Sequence, residues 1–126
     1  MSAKKRILLV DDEKSFTNLL KLNLEDTGNY EVRVENWAED AFPAAQEFKP
    51  DLILLDIIMP RMPGGNVAAM IKADAALKNT PIVFLTAAVR KHQVEENEGI
   101  ICDHPCLAKP ATVDEVIDMI EKNVKK

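Results

Sequence analysis

The sequence predicts an α/β fold in which helices cover both faces of a parallel sheet. Short apolar runs alternate along the chain with stretches of helical periodicity, in the order βαβαβαβαβα. The runs are rich in Val, Ile and Leu with few polar interruptions, which is typical of strands buried on both faces. The 126 residues are enough for one core, so residues 1–126 are expected to form a single domain.

Five strands are expected from the apolar runs. They are predicted at 7–10, 30–34, 52–55, 82–85 and about 101–107. The run at 30–34 alternates between apolar and polar residues, which indicates a less completely buried strand. Right-handed crossovers between parallel strands leave few possible topologies.

Helical spacing of apolar residues predicts the connections. The four clearer helices are marked by Phe16, Leu19, Leu20 and Leu24, by Ala38, Ala41, Phe42 and Ala45, by Val67, Met70 and Ile71, and by Val113, Val116, Ile117, Ile120 and Val124. In the second, Asn36 is a possible N-cap and Pro43 predicts a kink or a late start. Thr112 and Glu115 form a capping-box pattern before the last helix. The polar stretch 87–99 predicts a marginal helix.

Composition excludes several classes of protein. The net charge of -5 provides no basic surface for nucleic acid, so direct DNA binding is not expected. No apolar run approaches the roughly 18 residues of a membrane helix, and the short run at 7–10 is too brief for a targeting segment. The two cysteines, Cys102 and Cys106, form no disulfide framework. We therefore expect a cytoplasmic protein with reduced thiols.

Polar residues whose side chains could take part in catalysis or ligand binding follow the predicted strands. Asp11 and Asp12 follow the first, Asp56 the third, Thr86 the fourth, and Lys109 lies near the fifth. In such sheets ligands bind beyond the carboxyl ends of the strands. Three carboxylates brought together repel one another and need a cation, and oxygen ligands of this kind suit Mg²⁺. A carboxylate can also attack phosphorus, while a hydroxyl and an ammonium can bind the phosphoryl oxygens.

Taken singly, these residues have simpler explanations, since an Asp-Asp pair after a strand is commonly a turn that caps a helix. Their combination carries more weight. Segments 9–13, 51–60, 86–87 and 109–110, with Gly64 after the second, resemble receiver domains of two-component response regulators over nearly the whole chain. The resemblance implies a flavodoxin-like, doubly wound five-stranded parallel sheet in the order 2-1-3-4-5, flanked by five helices.

The resemblance also implies roles for individual residues. Asp56 matches the phosphoacceptor, Asp11 and Asp12 match the metal-binding acidic pair, and the carbonyl of Ile58 would be a further ligand to Mg²⁺. Thr86 matches the hydroxyl that follows the phosphoryl group.

Lys109 matches the lysine that contacts the phosphate. Three residues before it the family usually has Tyr or Phe, and this chain has Cys106. The usual aromatic switch therefore cannot operate in that form. Cys106 would share a strand face with Cys102 and His104, but their spacing matches no common zinc pattern.

Two further positions flank the path of water toward the phosphorus in the family. Ile58 and Ala88 occupy them here, and neither side chain can accept a hydrogen bond from water. We therefore expect slow loss of the phosphoryl group.

The function expected from the resemblance is a phosphoacceptor that catalyses its own phosphorylation and dephosphorylation. The phosphoryl donor would be a histidine kinase or a histidine phosphotransfer protein. Output would pass by protein–protein contact to a downstream target that the sequence does not identify, either from a stand-alone chain or from part of a larger protein. Two alternatives are a Mg²⁺-dependent phosphatase or phosphotransferase with an outside substrate, and a flavin-binding electron carrier. The acidic segment 11–13 disfavours the flavin carrier because it repels a phosphate.

Overall fold

The computed structural model describes residues 4–57, 59, 62, 64–86, 100–101, 104–108 and 112–124. Over residues 5–86, strands and helices alternate as the sequence predicts. The elements are β1 Lys5–Val10, α1 Lys14–Asp26, β2 Tyr30–Glu35, a 3-10 turn Ala38–Asp40, α2 Ala41–Phe48, β3 Leu52–Asp56, α3 Gly64–Ala73, β4 Ile82–Thr86, β5 Ile100–Ile101, β6 His104–Ala108 and α4 Val113–Asn123. The marginal helix predicted over 87–99 lies outside the described residues, which hold four of the five expected helices.

Five parallel strands form the sheet in the spatial order β2-β1-β3-β4-β6. This is the predicted 2-1-3-4-5 order, because β6 is the fifth of the parallel strands along the chain. The two-residue strand β5 pairs antiparallel with the start of β6, Ile100 opposite Pro105 and Ile101 opposite His104. The prediction of one continuous strand over 101–107 is therefore wrong at its beginning, because the chain reverses direction before β6.

The central strands are buried on both faces. Successive side chains of a strand point to opposite sides, so each run supplies two cores. One core contains Leu8, Val10, Ile53, Leu55, Ile82 and Phe84 together with residues of α2 and α3. The other contains Ile7, Leu9, Leu52, Leu54, Val83 and Leu85 together with residues of α1 and α4. Burial of each such side chain stabilises the fold by about 1.5–3 kcal/mol before the entropic cost.

Helix α1 packs through a stripe that differs from the predicted one. Its buried residues are Thr17, Leu20 and Leu24. Leu19 was expected on this face and is instead 60% exposed. The spacings of three and four residues between Thr17, Leu20 and Leu24 place them on one side of the helix, and Leu19 lies about 100° away from Leu20.

The helix-boundary signals are confirmed at two places. The segment before α2 begins as the 3-10 turn Ala38–Asp40, and α2 starts late, so that Pro43 is its third residue. A proline is tolerated there because the first-turn N–H groups lack intrahelical partners. At the start of α4, the Thr112 hydroxyl accepts a hydrogen bond from the Glu115 N–H, and the Glu115 carboxylate accepts one from the Thr112 N–H.

Candidate functional site

The register of the sheet brings three carboxylates together. Val10 at the end of β1 is paired with Leu55 of β3, so the next residues, Asp11 and Asp56, lie side by side. One carboxylate oxygen from each of Asp11, Asp12 and Asp56 lies within 4.8 Å of the others. Asp11 is fully buried and Asp56 is 5% exposed, whereas Asp12 is exposed. The predicted acidic cluster is therefore present, open to solvent on the side of Asp12.

Main-chain hydrogen bonds hold the acidic turn between β1 and α1. The Asp11 N–H donates to the Glu35 carbonyl at the end of β2, over 3.1 Å. The Glu13 N–H donates to Oδ1 of Asp11 over 2.9 Å, so one oxygen of this carboxylate also stabilises the turn. The Thr17 N–H then donates to the Glu13 carbonyl and begins α1. The turn-stabilising role considered for Asp11 is thus real and coexists with its place in the acidic cluster.

Asn36 fixes the same turn from the neighbouring strand. Its Nδ2 donates to the main-chain carbonyl of Asp11 over 2.8 Å and to Oγ1 of Thr17 over 3.0 Å. The N-cap prediction for Asn36 is wrong, because Trp37 is the N-cap residue of the 3-10 turn. Sequence reasoning also missed the contact between Asn36 and Thr17. A signal for the position of Asn36 was available, since Asn36 directly follows β2 and therefore lies at the same edge as the other strand-end residues.

Ile57 and Gly64 lie in close main-chain contact with the strands that carry Asp56 and Leu85. The Ile57 N–H donates to the Leu85 carbonyl over 3.0 Å, and the Gly64 N–H donates to the Ile57 carbonyl over 2.7 Å. A Cβ added to Gly64 would lie 2.2 Å from the Asp56 carbonyl oxygen. Gly64 is therefore required by close approach of two main-chain segments, and it fixes α3 beside the acidic cluster.

Of the residues predicted to supply a hydroxyl and an ammonium group, the structure describes only the main chain of Thr86. Thr86 ends β4 and is paired with Ala108, the residue before Lys109. The main chain thus brings Thr86 and Ala108 to the same edge of the sheet as Asp56. The Thr86 side chain, Ile58 and Lys109 lie outside the described residues, so their roles stay predictions.

Cys106 lies in the core of the sheet. It is fully buried in β6, paired with Phe84 of β4, and burial raises the pKa of its thiol. It packs with Ala108 in the core on the side of α2 and α3. Cys102 and the side chain of His104 lie outside the described residues, so the prediction that they share a strand face with Cys106 stays a prediction.

The donor set fits Mg²⁺. All three side chains supply carboxylate oxygens, the ligand type that this hard cation prefers. Two of the three carboxylates are nearly fully buried, and like charges at this distance favour occupation by a cation. A divalent cation bound here would neutralise part of this charge.

The sequence model of the response regulator receiver domain matches residues 7–121. The chain belongs to this family. Among curated receivers it is 41% identical over 83 residues to the alkaline phosphatase synthesis transcriptional regulatory protein PhoP of Bacillus subtilis, a match covering 66% of this chain and 33% of PhoP. It is 32% identical over 118 residues to response regulator Rre1 of Synechocystis, covering 94% of this chain and 50% of Rre1.

Receiver structures confirm the fold. The chemotaxis protein CheY4 of Vibrio cholerae superposes with a TM-score of 0.81 at 27% identity, over 95% of this chain and 98% of CheY4. The chain spans between a third and a half of the curated relatives named above. Within the described part of the receiver, no helix has the length and apolar character needed to cross a membrane.

Proposed function

We propose that Asp56 accepts a phosphoryl group from the phosphohistidine of a histidine kinase or histidine phosphotransfer protein. The observation that carries this proposal is the clustering of Asp56 with Asp11 and Asp12 within 4.8 Å at the carboxyl edge of a receiver sheet. Attack by a carboxylate oxygen of Asp56 forms the new bond to phosphorus. The bond between phosphorus and the imidazole nitrogen breaks, and its electron pair stays on that nitrogen.

The residues around Asp56 would bind Mg²⁺ and the oxygens of the phosphoryl group. Asp11, Asp12, Asp56 and the carbonyl of Ile58 would hold Mg²⁺, as the family resemblance implies. Lys109 would bind a phosphoryl oxygen through its ammonium group, and the hydroxyl of Thr86 would donate to another. These interactions stabilise negative charge on the transferring group, which is the main requirement of phosphoryl transfer.

The rigidity of the acidic edge supports this assignment. Asp56 ends a fully buried strand, and the Ile57 N–H and carbonyl are both hydrogen-bonded to neighbouring main chain. The carboxylate thus starts from a fixed backbone, which favours attack because positioned groups lose little entropy in the reaction. The receiver in this proposal catalyses its own phosphorylation and dephosphorylation.

The same proposal makes the phosphoryl group long-lived. Ile58 and Ala88 replace polar residues that can orient the attacking water in the family, and losing such an interaction can slow a reaction roughly a hundredfold. Comparison of phosphoryl lifetimes in the natural chain and in Ile58→Asn with Ala88→Glu tests this. An unchanged lifetime in the double variant would contradict it.

Output is proposed to pass by protein–protein contact from a cytoplasmic receiver, without direct binding to nucleic acid. The acidic balance of the chain, with 21 Asp and Glu against 16 Lys and Arg, supports this. PhoP is by its name a transcriptional regulatory protein, but this chain matches only 33% of its length.

The direct test is the intact mass after incubation with Mg²⁺ and acetyl phosphate. The natural chain should gain one phosphoryl group, and Asp56→Asn should gain none. Asp51→Asn is a matched control just before the start of the same strand, since an amide oxygen can still accept the hydrogen bond from the Arg6 N–H. A phosphoryl group that persists in Asp56→Asn would overturn the assignment.

A further inference from the structure

The acidic turn depends on one side-chain amide outside the acidic cluster. Asn36 has two N–H hydrogens on Nδ2, and the two bonds to the Asp11 carbonyl and the Thr17 hydroxyl use both. Thr17 is fully buried, and its own hydroxyl donates to the Lys14 carbonyl over 3.1 Å. A continuous chain of hydrogen bonds thus runs from the end of β1, through Asn36 at the end of β2, to the first turn of α1.

These bonds fix the peptide group that joins the acidic pair. The carbonyl held by Asn36 belongs to the peptide between Asp11 and Asp12. On the other side, the Asp11 N–H is held by the Glu35 carbonyl, and its Oδ1 is held by the Glu13 N–H. Asp12 follows this peptide in the exposed part of the turn, so the held carbonyl limits the positions that the main chain of Asp12 can take.

We propose that Asn36 is a positioning residue for the metal site, acting through the Asp11–Asp12 peptide. This inference rests on the proposed binding of Mg²⁺ by the acidic pair and assigns Asn36 no contact with the ion. Its amide orders the turn before the cation arrives, so less conformational entropy is lost on binding. Groups that orient metal ligands from behind typically change metal affinity by about 10–100-fold when removed.

Thr17 completes the device. Its Oγ1 accepts from Asn36, which holds the amide in the rotamer that also reaches Asp11. Without that acceptor the Asn36 side chain would keep one partner and gain rotational freedom. The hydroxyl of Thr17, rather than its methyl group, is therefore the group that matters for the metal site.

The test is the dissociation constant for Mg²⁺ alone, measured by titration calorimetry on the full chain well below the melting temperature. Asn36→Leu should weaken binding about tenfold. Thr17→Val should weaken it severalfold, and Thr17→Ser, which restores the hydroxyl, should return it to within twofold of the natural chain. Amide exchange at 11–13 should quicken in Asn36→Leu without metal, since the turn loses its side-chain tie.

The matched control is Thr27→Val. Thr27 also donates its hydroxyl to the carbonyl three residues earlier, that of Leu24, but it lies at the far end of α1 from the acidic turn. Its dissociation constant should stay within twofold. A merely structural role for Asn36 would lower stability in the same way and leave the Mg²⁺ affinity unmoved.

Each outcome decides a different statement. If the natural chain binds Mg²⁺ and Asn36→Leu binds it within twofold, the positioning role is wrong. If Asn36→Leu does not fold, the difference between Thr17→Val and Thr17→Ser decides, and equal affinities overturn the inference. If the natural chain binds no Mg²⁺, the proposed metal site itself is wrong.

Discussion

Gly64 lies directly against the main-chain carbonyl of Asp56. An added Cβ would meet that oxygen at 2.2 Å and the Ile57 Cα at 2.8 Å, both of them backbone atoms. The Gly64 N–H meanwhile donates to the Ile57 carbonyl. The start of α3 and the end of β3 are thus in contact without any side chain between them, and the position of α3 is tied to that of Asp56.

Gly64→Ala should therefore destabilise the receiver. Backbone atoms cannot rotate away as a side chain can, so we expect a loss of about 1–3 kcal/mol in the free energy of unfolding. The matched control is Gly65→Ala, since a Cβ there meets nothing within 4 Å. Because alanine favours a helix more than glycine does, Gly65→Ala should be neutral or stabilising by up to about 1 kcal/mol. Urea unfolding of both variants measures this, and equal stabilities would contradict it.

Asp12→Asn should change stability in opposite directions with and without Mg²⁺. In metal-free solution it removes repulsion from two buried carboxylates, and the free energy of unfolding should rise by about 0.5–1 kcal/mol. In excess Mg²⁺ the natural chain should gain more stability than the variant, because only the folded state binds the ion tightly. Thermal melts with and without Mg²⁺ test whether the order of stability of the natural chain and the variant reverses. A variant that is less stable without metal would refute the repulsion.

The sequence was most informative where one residue type has one structural use. Continuous apolar runs identified the parallel strands. The register of β1 with β3 then placed Asp11 beside Asp56, as expected for residues that follow the carboxyl ends of parallel strands. Pro43 and the pair Thr112–Glu115 marked helix starts because proline and the capping box act locally.

Prediction failed where tertiary contacts decide between local options. Asn36 can cap a helix or bond across strands, and the proximity of Asp11 and Thr17, distant in sequence, selected the second. Leu19 is exposed because the sheet accepts the side of α1 that carries Thr17. Local spacing could not reveal that a polar residue belongs to the buried stripe. The reversal at β5 likewise depends on pairing with β6.

Tyr30 should make stability fall at high pH. Its hydroxyl donates to Oε2 of Glu121 over 2.5 Å, and Nζ of Lys5 lies 2.7 Å from Oε1 of the same carboxylate. Burial, the hydrogen bond to Glu121 and the charge of Glu121 raise the pKa of Tyr30 above its ordinary value. This contribution is fully present below about pH 10, where the unfolded tyrosine is also neutral. It is lost progressively above that pH, because ionisation then favours the unfolded chain.

The measurement for Tyr30 is the free energy of unfolding between pH 8 and pH 11.5, in the natural chain and in Tyr30→Phe. The natural chain should lose more stability over this interval than the variant, which has no phenol at position 30 to ionise. Parallel profiles would show that Tyr30 ionises equally in both states.

Replacing Cys106 with the aromatic residue usual in receivers should destabilise this one. Cys106 is fully buried opposite Phe84, and it packs in a core already closed by Ala108 and the strands beside it. A tyrosine ring needs several times the volume of a thiol, so Cys106→Tyr should cost about 1–3 kcal/mol in the free energy of unfolding through overpacking.

Cys106→Ala separates this effect from loss of the thiol. It removes one buried atom without adding volume, so it should cost about 1 kcal/mol or less. The ordering natural chain, then alanine, then tyrosine, in decreasing stability, is the expected result of urea unfolding at neutral pH. If Cys106→Tyr were instead as stable as the natural chain, the core at this position would have room for an aromatic side chain.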